Sequence, residues 1–466
     1  MISFLITLVV VFFLFGFTIF VHELGHFLVA RWCGLTVDAF AIGFGPAIWK
    51  RKINGVQYKI GILPFGGYVA LPQLDPSGGN PNKPEEGQEQ RALPRVSPFK
   101  KILVSLAGVT GNMILAFILA WVIYVVGKPS RPLETNSIIG HVERDSAAFA
   151  AGLRIGDEIL SINGEPVANW SDIVLKLALT DDAKLLVKST DGEKTIDLET
   201  SQGDMGVHSV PGISGMDYVS VAGTMPNSSA QKAGLKPGDL LLSINGITLY
   251  SIPQLIDLVN DFKDQDVPVL IKRGDAEQTL TVRPAYNEKE KRAMIGIQFN
   301  TLYADKRFIV HPEPWDQIKG HASGIFRFLR ALVTPSEAGK ASQGVGGPLM
   351  IIIMFWYAVK SSLMIALWFT VMVNVNLAII NLLPLPVLDG GHIVFSLWEM
   401  LTKRPVPAKI VNVVWNTFAV VLISLFLLLT FRDVRRFVIP NFTNNDQEEE
   451  PVATDAPTAA PDTQAP

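Results

Sequence analysis

Four long apolar segments constrain the fold of this 466-residue chain more than any other feature. They lie at about 2–27, 102–126, 361–383 and 409–430, and a helix of roughly twenty apolar residues is long enough to cross the hydrocarbon core of a bilayer. Hydrophobic residues make up 48% of the chain and charged residues only 18%, a composition typical of membrane proteins. The sequence therefore predicts a polytopic α-helical membrane protein with four transmembrane helices.

A fifth apolar stretch, from Pro348 to Val359, is too short to cross a bilayer. It contains Trp356 and Tyr357, and these residue types favour the membrane interface. We expect an interfacial or re-entrant helix here, and the alternative is one long tilted helix over 348–383. At the N-terminus the apolar run lacks a basic leader and a small-residue cleavage site, so we expect a retained helix and not a cleaved signal peptide.

Basic residues near the ends of the spans predict the orientation of the chain. The first loop contains Arg31, Lys50, Arg51, Lys52, Lys59, Arg95, Lys100 and Lys101, and the third loop contains Lys403, Arg404 and Lys409. Because positively charged loops stay in the cytoplasm, both loops should be cytoplasmic, with the 128–345 region and both termini outside. Arg432, Arg435 and Arg436 after the last span favour the opposite orientation.

The first loop contains a signal for a β-hairpin. Asn54-Gly55 separates two alternating runs over 48–62, and this dipeptide favours a two-residue hairpin turn. One face of the runs is mostly apolar and the other cationic, which suits a membrane-associated β-hairpin. It is either a surface hairpin with no mechanistic role or an exposed edge that pairs with an extended substrate.

The region between the second and third spans contains an internal repeat. The string AGLRIGDEILSING at 151–164 returns as AGLKPGDLLLSING at 233–246. Each copy predicts a short helix, a strand, an Asn-Gly turn and a second helix, and this string resembles the PDZ module. PDZ domains capture extended C-termini by strand addition, and the loops at 205–207 and 295–297 are candidates for holding the carboxylate. The alternative is a pair of spacers that only exclude bulky substrates.

These features divide the chain into six regions. Residues 1–127 hold the first two spans with the hairpin loop and a Pro-, Gly- and Glu-rich linker at 75–98. We expect tandem α+β PDZ domains at 128–207 and 208–300, a connecting segment at 301–347, and the interfacial helix with the last two spans at 348–440. The tail at 441–466 is acidic and rich in Pro, Ala and Thr, which predicts disorder.

The first span contains the sequence His22-Glu23-Leu24-Gly25-His26. His22 and His26 are four residues apart, so both imidazoles leave one face of a helix and can bind the same metal ion. Glu23 beside them is a candidate general base for a water at the metal. Ionisable groups at membrane depth are functional candidates by default. The sequence predicts Zn2+ here, and the alternative is a chance match to the motif.

A catalytic zinc ion takes three protein ligands and leaves one position open, so one ligand must come from elsewhere. The metzincin pattern fails because its glycine and third histidine would fall on Val29 and Trp32. The remaining candidates are Cys33, Asp38, Asp389 and His392. We favour Asp389, since Pro384 and Pro386 just before it must unwind the third span, and such unwinding is tolerated in lipid only beside protein or a cavity.

Five features together resemble the site-2 protease family of intramembrane zinc proteases. They are HELGH in the first span, GFGP at 43–46, PFGGYV at 64–69, the tandem PDZ copies, and NLLPLPVLDGG at 381–391. The resemblance implies that His22, His26 and Asp389 bind Zn2+, that Glu23 activates water, and that Asn381 holds the substrate or the oxyanion with help from Asn376.

The resemblance also implies the substrates and the location. Expected substrates are single-span transmembrane proteins already trimmed outside the membrane, such as anti-sigma factors, and also remnant signal peptides. The expected location is the bacterial inner membrane, in contact with lipid, with extracytoplasmic PDZ domains and an active site near the cytoplasmic face. Peptide C-termini are the expected ligands of the PDZ domains.

Two other classes of function compete with a protease. One is a membrane-anchored PDZ adaptor with an inert structural metal site, and Glu23 argues against it because a scaffold needs no base beside its metal. The other is a transporter, which the absence of an inverted repeat of spans disfavours. We expect no nucleic-acid partner, since the net charge is −3 and no basic stripe is present.

Overall fold

The computed structural model describes residues 2–74, 94–202, 208–288, 290–299 and 308–435. Most of the predicted linker, the loop at 205–207 and the predicted tail lie outside these described residues. Within them the helices are α1 (Ile2–Cys33), α2 (Pro98–Val126), α3 (Ala147–Ala150), α4 (Trp170–Leu177), α5 (Ser229–Lys232), α6 (Ile252–Asp261), α7 (Pro314–Val333), α8 (Pro335–Gly344), α9 (Pro348–Ser361), α10 (Leu363–Asn381), α11 (Asp389–Thr402) and α12 (Ala408–Asp433).

Four of these helices, α1, α2, α10 and α12, are long and apolar enough to cross a membrane, which confirms the four predicted spans. The helices α2 and α10 share a buried core that includes Ala116, Ala120 and Val371. In contrast, the most apolar window of α12 has no buried residue. The bundle therefore centres on α1, α2 and α10, with α12 at its periphery.

The stretch over 348–383 forms two helices and not one. Ser362 separates α9 from α10 with an extended backbone (φ −167°, ψ 154°), and its hydroxyl oxygen accepts hydrogen bonds from the backbone N–H groups of Met364 and Ile365. The alternative of one long tilted helix is thus wrong. At about 1.5 Å per residue, the 14 residues of α9 are too few to span a bilayer.

The first loop folds into two long antiparallel strands, β1 (Ala39–Ile53) and β2 (Val56–Ala70). They meet at Asn54 (φ 51°) and Gly55 (φ 85°), the left-handed pair that the predicted turn requires. The hairpin is longer than the predicted 48–62. Because β2 bends back, the 39–42 segment of β1 pairs with both 57–60 and 67–70.

This hairpin packs on the C-terminal half of α1. The ring of Phe40 makes edge contacts with Phe20 and Phe27 of α1, at centroid distances of 6.1 and 5.3 Å. The contact brings the 67–70 segment of β2 beside the helix turn that contains Glu23. The hairpin thereby forms one wall of the site described below.

The region after α2 forms two α+β units, each with its own apolar core. The strands of this region are β3 (Lys128–Pro129), β4 (Ile139–Val142), β5 (Glu158–Ile162), β6 (Glu165–Pro166), β7 (Asp182–Ser189), β8 (Gly192–Glu199), β9 (Ser201–Gln202), β10 (His208–Ser209), β11 (Ile213–Gly215), β12 (Val219–Thr224), β13 (Leu240–Ile244), β14 (Ile247–Thr248), β15 (Val267–Arg273), β16 (Ala276–Val282), β17 (Ala285–Asn287), β18 (Arg292–Met294), β19 (Ile297–Phe299) and β20 (Ile309–Val310). The main sheet of the first unit has strand order β6-β5-β7-β8, and that of the second has β16-β15-β13-β12-β19.

The boundary between the two units lies later than the repeat suggests. Strand β11 pairs with β4 of the first unit, and β10 pairs with β9. The first unit therefore continues past residue 207, up to about Gly215. The repeated string marks the middle of each unit but carries no signal for its closing strand, which explains the difference.

The predicted connecting segment at 301–347 contains the helices α7 and α8. Ile318 of α7 is buried in the core that α2 and α10 share, and the amide of Gln317 donates to the backbone oxygen of Ala120 (3.1 Å). Just before α7, strand β20 pairs with β3, which follows α2 directly. The chain thus returns from the α+β units at the point where it left the bundle.

Candidate metal centre and active site

Two elements far apart in sequence bring three metal-binding side chains together. On α1 the Nε2 atoms of His22 and His26 lie 3.2 Å apart. Asp389, the first residue of α11, has Oδ2 at 3.4 Å from Nε2 of His22 and Oδ1 at 3.3 Å from Nε2 of His26. Within the described part of the chain, this is the only cluster of three or more His, Cys, Asp or Glu side chains arranged to hold a metal ion.

The broken helix between α10 and α11 determines where Asp389 points. The loop 382–388 turns back on itself, and a Cβ atom at Gly391 would lie only 2.7 Å from the Cα atom of Pro386. Glycine is therefore needed for α11 to start so close to the loop. The first turn of a helix also favours a carboxylate, because free N–H groups and the helix dipole stabilise negative charge.

Small residues let α1 and α2 approach closely. A Cβ atom at Gly108 of α2 would collide with both imidazoles, and one at Gly25 of α1 would collide with the backbone oxygen of Ala107. This contact places Nδ1 of His26 at 2.7 Å from the backbone oxygen of Val104. The Nδ1–H group can donate to that carbonyl, which leaves the Nε2 lone pair directed toward Asp389.

Glu23 lines the same cavity as the three clustered residues. Its carboxylate accepts a hydrogen bond from the backbone N–H of Val69 in β2, and its side chain is 9% exposed. The cavity is about 240 Å³, room for roughly eight waters. Besides these residues it is lined by the 67–69 segment of β2, by Asn381 and by His392. A water molecule can therefore reach both Glu23 and the cluster.

The geometry of the cluster fits zinc. In a tetrahedral site with ligand bonds of about 2.0–2.1 Å, neighbouring ligand atoms lie about 3.3 Å apart. The two Nε2 atoms are 3.2 Å apart, and each lies 3.3–3.4 Å from a different oxygen of Asp389, so the spacings have the size that zinc requires. The Oδ2 atom of Asp389 is buried without a hydrogen-bond partner among the described residues. Two imidazoles and one carboxylate also match the donor types of catalytic zinc sites, which leave one position open.

Of the other candidate site residues, some line the cavity and some lie outside it. Asn381 lines the cavity, with Nδ2 at 3.5 Å from Nε2 of His22. Asn376 does not line it, and its amide oxygen is buried without a partner among the described residues. Cys33 and Asp38 are outside the cluster, and His392 lines the cavity without joining it.

Sequence reasoning missed two polar residues of α2 at this site. Ser105 lines the cavity, and its hydroxyl has no hydrogen-bond partner among the described residues. Asn112 has Nδ2 at 3.2 Å from Nδ1 of His22. They are seven residues apart and so share one face of α2, which is the signal that a helical projection would have given.

Comparisons with known proteins agree with this site. The model of "Peptidase family M50" matches residues 10–425. A Vibrio cholerae protein whose name describes a zinc metalloprotease is 30% identical, with 90% of this chain and 96% of the relative covered. The Escherichia coli K12 "Regulator of sigma-E protease RseP" is 28% identical and the Yersinia pestis "Protease RseP" 29%, each with the same coverage.

A solved structure is also similar to part of the chain. The PDZ domain of an SdrC-like protein from Listeria monocytogenes is 26% identical over 17% of this chain and 85% of that domain, with a TM-score of 0.17. The family match, in contrast, includes His22, His26 and Asp389. The chain therefore belongs to peptidase family M50, the site-2 protease family of zinc metalloproteases.

Proposed function

We propose that this protein is an intramembrane endopeptidase that hydrolyses peptide bonds in the transmembrane segments of single-span proteins. The observation that carries the proposal is the cavity in which Glu23 lies beside His22, His26 and Asp389, between helices apolar enough to span a membrane. A water-accessible cavity with a base and three metal donors provides what peptide hydrolysis requires.

In this proposal His22, His26 and Asp389 hold Zn2+. Bound zinc supplies Lewis acidity, which lowers the pKa of water and polarises a peptide carbonyl. Glu23 takes the proton from the attacking water and passes it to the nitrogen of the leaving amine. The hydrogen bond from the Val69 N–H group keeps the Glu23 carboxylate oriented toward the cavity, and the Asn381 amide donates to the substrate carbonyl.

A transmembrane substrate must unwind before it can be cut, because a helix keeps its carbonyl groups in internal hydrogen bonds. From the sequence, the 48–62 edge of the hairpin was one of two alternatives, either a pairing edge for the substrate or a surface hairpin with no mechanistic role. The 67–69 segment is better situated, since it lines the cavity directly. Strand pairing there would replace the backbone hydrogen bonds that the substrate loses.

The names of the relatives support a substrate class and a location. Proteins named regulator of sigma-E protease are 28–29% identical to this chain, and we infer pre-trimmed substrates of the anti-sigma-factor type in a bacterial inner membrane. Remnant signal peptides have the same single-span form. The two α+β units, assigned as extracytoplasmic PDZ domains, then exclude untrimmed substrates or capture newly formed C-termini, while the site lies near the cytoplasmic face.

Metal analysis and a cleavage assay on purified full-length protein test the proposal. We expect the wild type to hold one zinc ion and to cut a trimmed single-span substrate, and Glu23→Gln to keep the zinc ion without cutting. Cleavage by Glu23→Gln at the wild-type rate would overturn the role of Glu23. A wild type that holds zinc but cuts no single-span substrate would favour the inert PDZ adaptor.

A further inference from the structure

We propose that Asn112 is a positioning residue for the metal centre, which fixes the imidazole of His22 in the form that binds metal. This inference rests on the proposed zinc site. It assigns a specific role to an asparagine in the middle of the second span, where a polar side chain otherwise costs stability.

The surroundings of the two imidazoles provide the first step of the argument. Both rings contact α2 with the nitrogen that faces away from the cluster. Nδ1 of His26 meets the backbone oxygen of Val104 at 2.7 Å, whereas Nδ1 of His22 meets the side chain of Asn112 at 3.2 Å. Asn112 is fully buried (0% exposed), so water does not compete for this contact.

The chemistry of imidazole provides the second step. A neutral imidazole carries one N–H group, and a nitrogen that binds metal must carry none. Because Nε2 of His22 faces Asp389 and His26, metal binding requires the hydrogen on Nδ1. The neighbour of Nδ1 must then be an acceptor, and the Asn112 side chain can present its amide oxygen there.

The amide of Asn112 has two orientations with different consequences. With Nδ2 toward His22, as in this structure, the amide donates to Nδ1, and Oδ1 has no hydrogen-bond partner among the described residues. A half-turn of the amide brings Oδ1 to Nδ1–H and frees Nε2 for metal. Only the second orientation leaves Nε2 of His22 free for metal, and this is the orientation in which Asn112 fixes the imidazole for binding.

Two substitutions distinguish this role from simple packing. Asn112→Asp keeps the shape and, as a carboxylate, offers only acceptors to the imidazole, whereas Asn112→Leu keeps the volume and removes the acceptor. A positioning role predicts zinc affinity near or above wild type for Asn112→Asp, and about 10–100-fold lower for Asn112→Leu, as for other outer-shell partners. A packing role predicts a higher zinc affinity for Asn112→Leu than for Asn112→Asp, because leucine suits an apolar interior and a buried carboxylate does not.

The experiment is a chelator competition that measures zinc affinity of the purified full-length variants. Asn374 offers a matched control, since it is also 0% exposed in a span and its Oδ1 has no hydrogen-bond partner in the described part of the chain, but its amide donates to Thr18 and Thr370. We expect Asn374→Leu to leave zinc affinity within about threefold of wild type.

The outcomes separate this inference from the proposed function. Wild-type affinity for Asn112→Leu, or an affinity for Asn112→Asp below that of Asn112→Leu, would overturn the role of Asn112 and leave the zinc site intact. If Asn112→Leu fails to fold, the Asn112→Asp affinity alone decides, since a loss of zinc there contradicts an acceptor role. A wild type without zinc affinity would instead overturn the proposed function.

Discussion

Two carboxylates, the buried Asp239 in the second α+β unit and the partly buried Asp389 in the membrane region, have opposite surroundings. Asp239 accepts two hydrogen bonds from Arg273, both 2.7 Å, and one from the backbone N–H of Lys236 (2.8 Å). Asp389 has one imidazole beside each oxygen, and its Oδ2 atom, which faces His22, has no hydrogen bond among the described residues. Since an unsatisfied buried polar atom costs free energy, the difference separates a carboxylate that stabilises the fold from one that we propose to be a metal ligand.

The largest effect that tests this comparison should come from Asp389→Asn. The amide is a weak zinc ligand, so we expect zinc affinity to fall more than about a hundredfold and cleavage to be lost. The thermal stability of the metal-free protein should stay near wild type, because the carboxylate makes few favourable contacts without metal. Chelator competition and thermal unfolding measure the two effects. Zinc binding at wild-type affinity would exclude Asp389 as a ligand.

Asp239→Ala should have the opposite effects, which are a loss of stability and an unchanged zinc content. Removal of one partner of a buried pair costs about 3–5 kcal/mol, and the Arg273 side chain is 33% exposed, so we expect a loss of about 2 kcal/mol in the unfolding free energy of the second unit. Hydrogen exchange of the β13 and β15 amides in the full chain measures it. Zinc content should not change, and a loss of zinc would mean that the two regions are coupled.

The first unit offers a matched control for that substitution. There the equivalent Asp157 pairs with Lys194 (3.2 Å) and accepts a hydrogen bond from the backbone N–H of Arg154. Arg273→Lys would give the second unit the same pairing, and we expect it to lower the unfolding free energy by less than Asp239→Ala does. A loss of unfolding free energy as large as that of Asp239→Ala would show that the two hydrogen bonds from Arg273 account for the whole stabilisation.

The smallest expected effect is a pH dependence of the stability of the second unit. Burial alone would raise the pKa of Asp239, but the hydrogen bonds from Arg273 and from the Lys236 N–H lower it below its ordinary value. The stabilisation is therefore complete above the ordinary carboxyl pKa of about 4 and is lost as the pH falls through the lower pKa of the folded state. Thermal unfolding at decreasing pH should show wild type and Asp239→Asn converging in stability, and a constant gap would contradict this origin.

The sequence predicted the parts of the site that follow from local geometry. The spacing of His22, Glu23 and His26 within one helix is enough to place them together, and the prolines before Asp389 indicate a broken helix. Asn376 and Asn381 show the limit of such reasoning. They are five residues apart, about 140° around the helix, so both cannot face one cavity.

Contacts between distant elements could not be predicted in the same way. Gly108 and Asn112 belong to an ordinary apolar helix until α1 is packed against it, and only then do they touch the imidazoles. The hairpin is longer than predicted because glycines and two prolines interrupt the alternation while bulges maintain the pairing. The helix α7 was missed because two glycines, Gly320 and Gly324, weaken its helical signal.

The short ladder between β3 and β20 has a consequence for how the protein is assembled. Lys128 and Val310 are partners in it, and the Ser130 N–H group donates to the backbone oxygen of Phe308 (2.9 Å). The pairing holds together the two ends of the region that contains both α+β units. Because the ladder fixes where the chain leaves α2 and where it enters α7, the α+β units connect these helices as a short loop would. Their size and sequence can therefore diverge over evolution without altering the register of the spans.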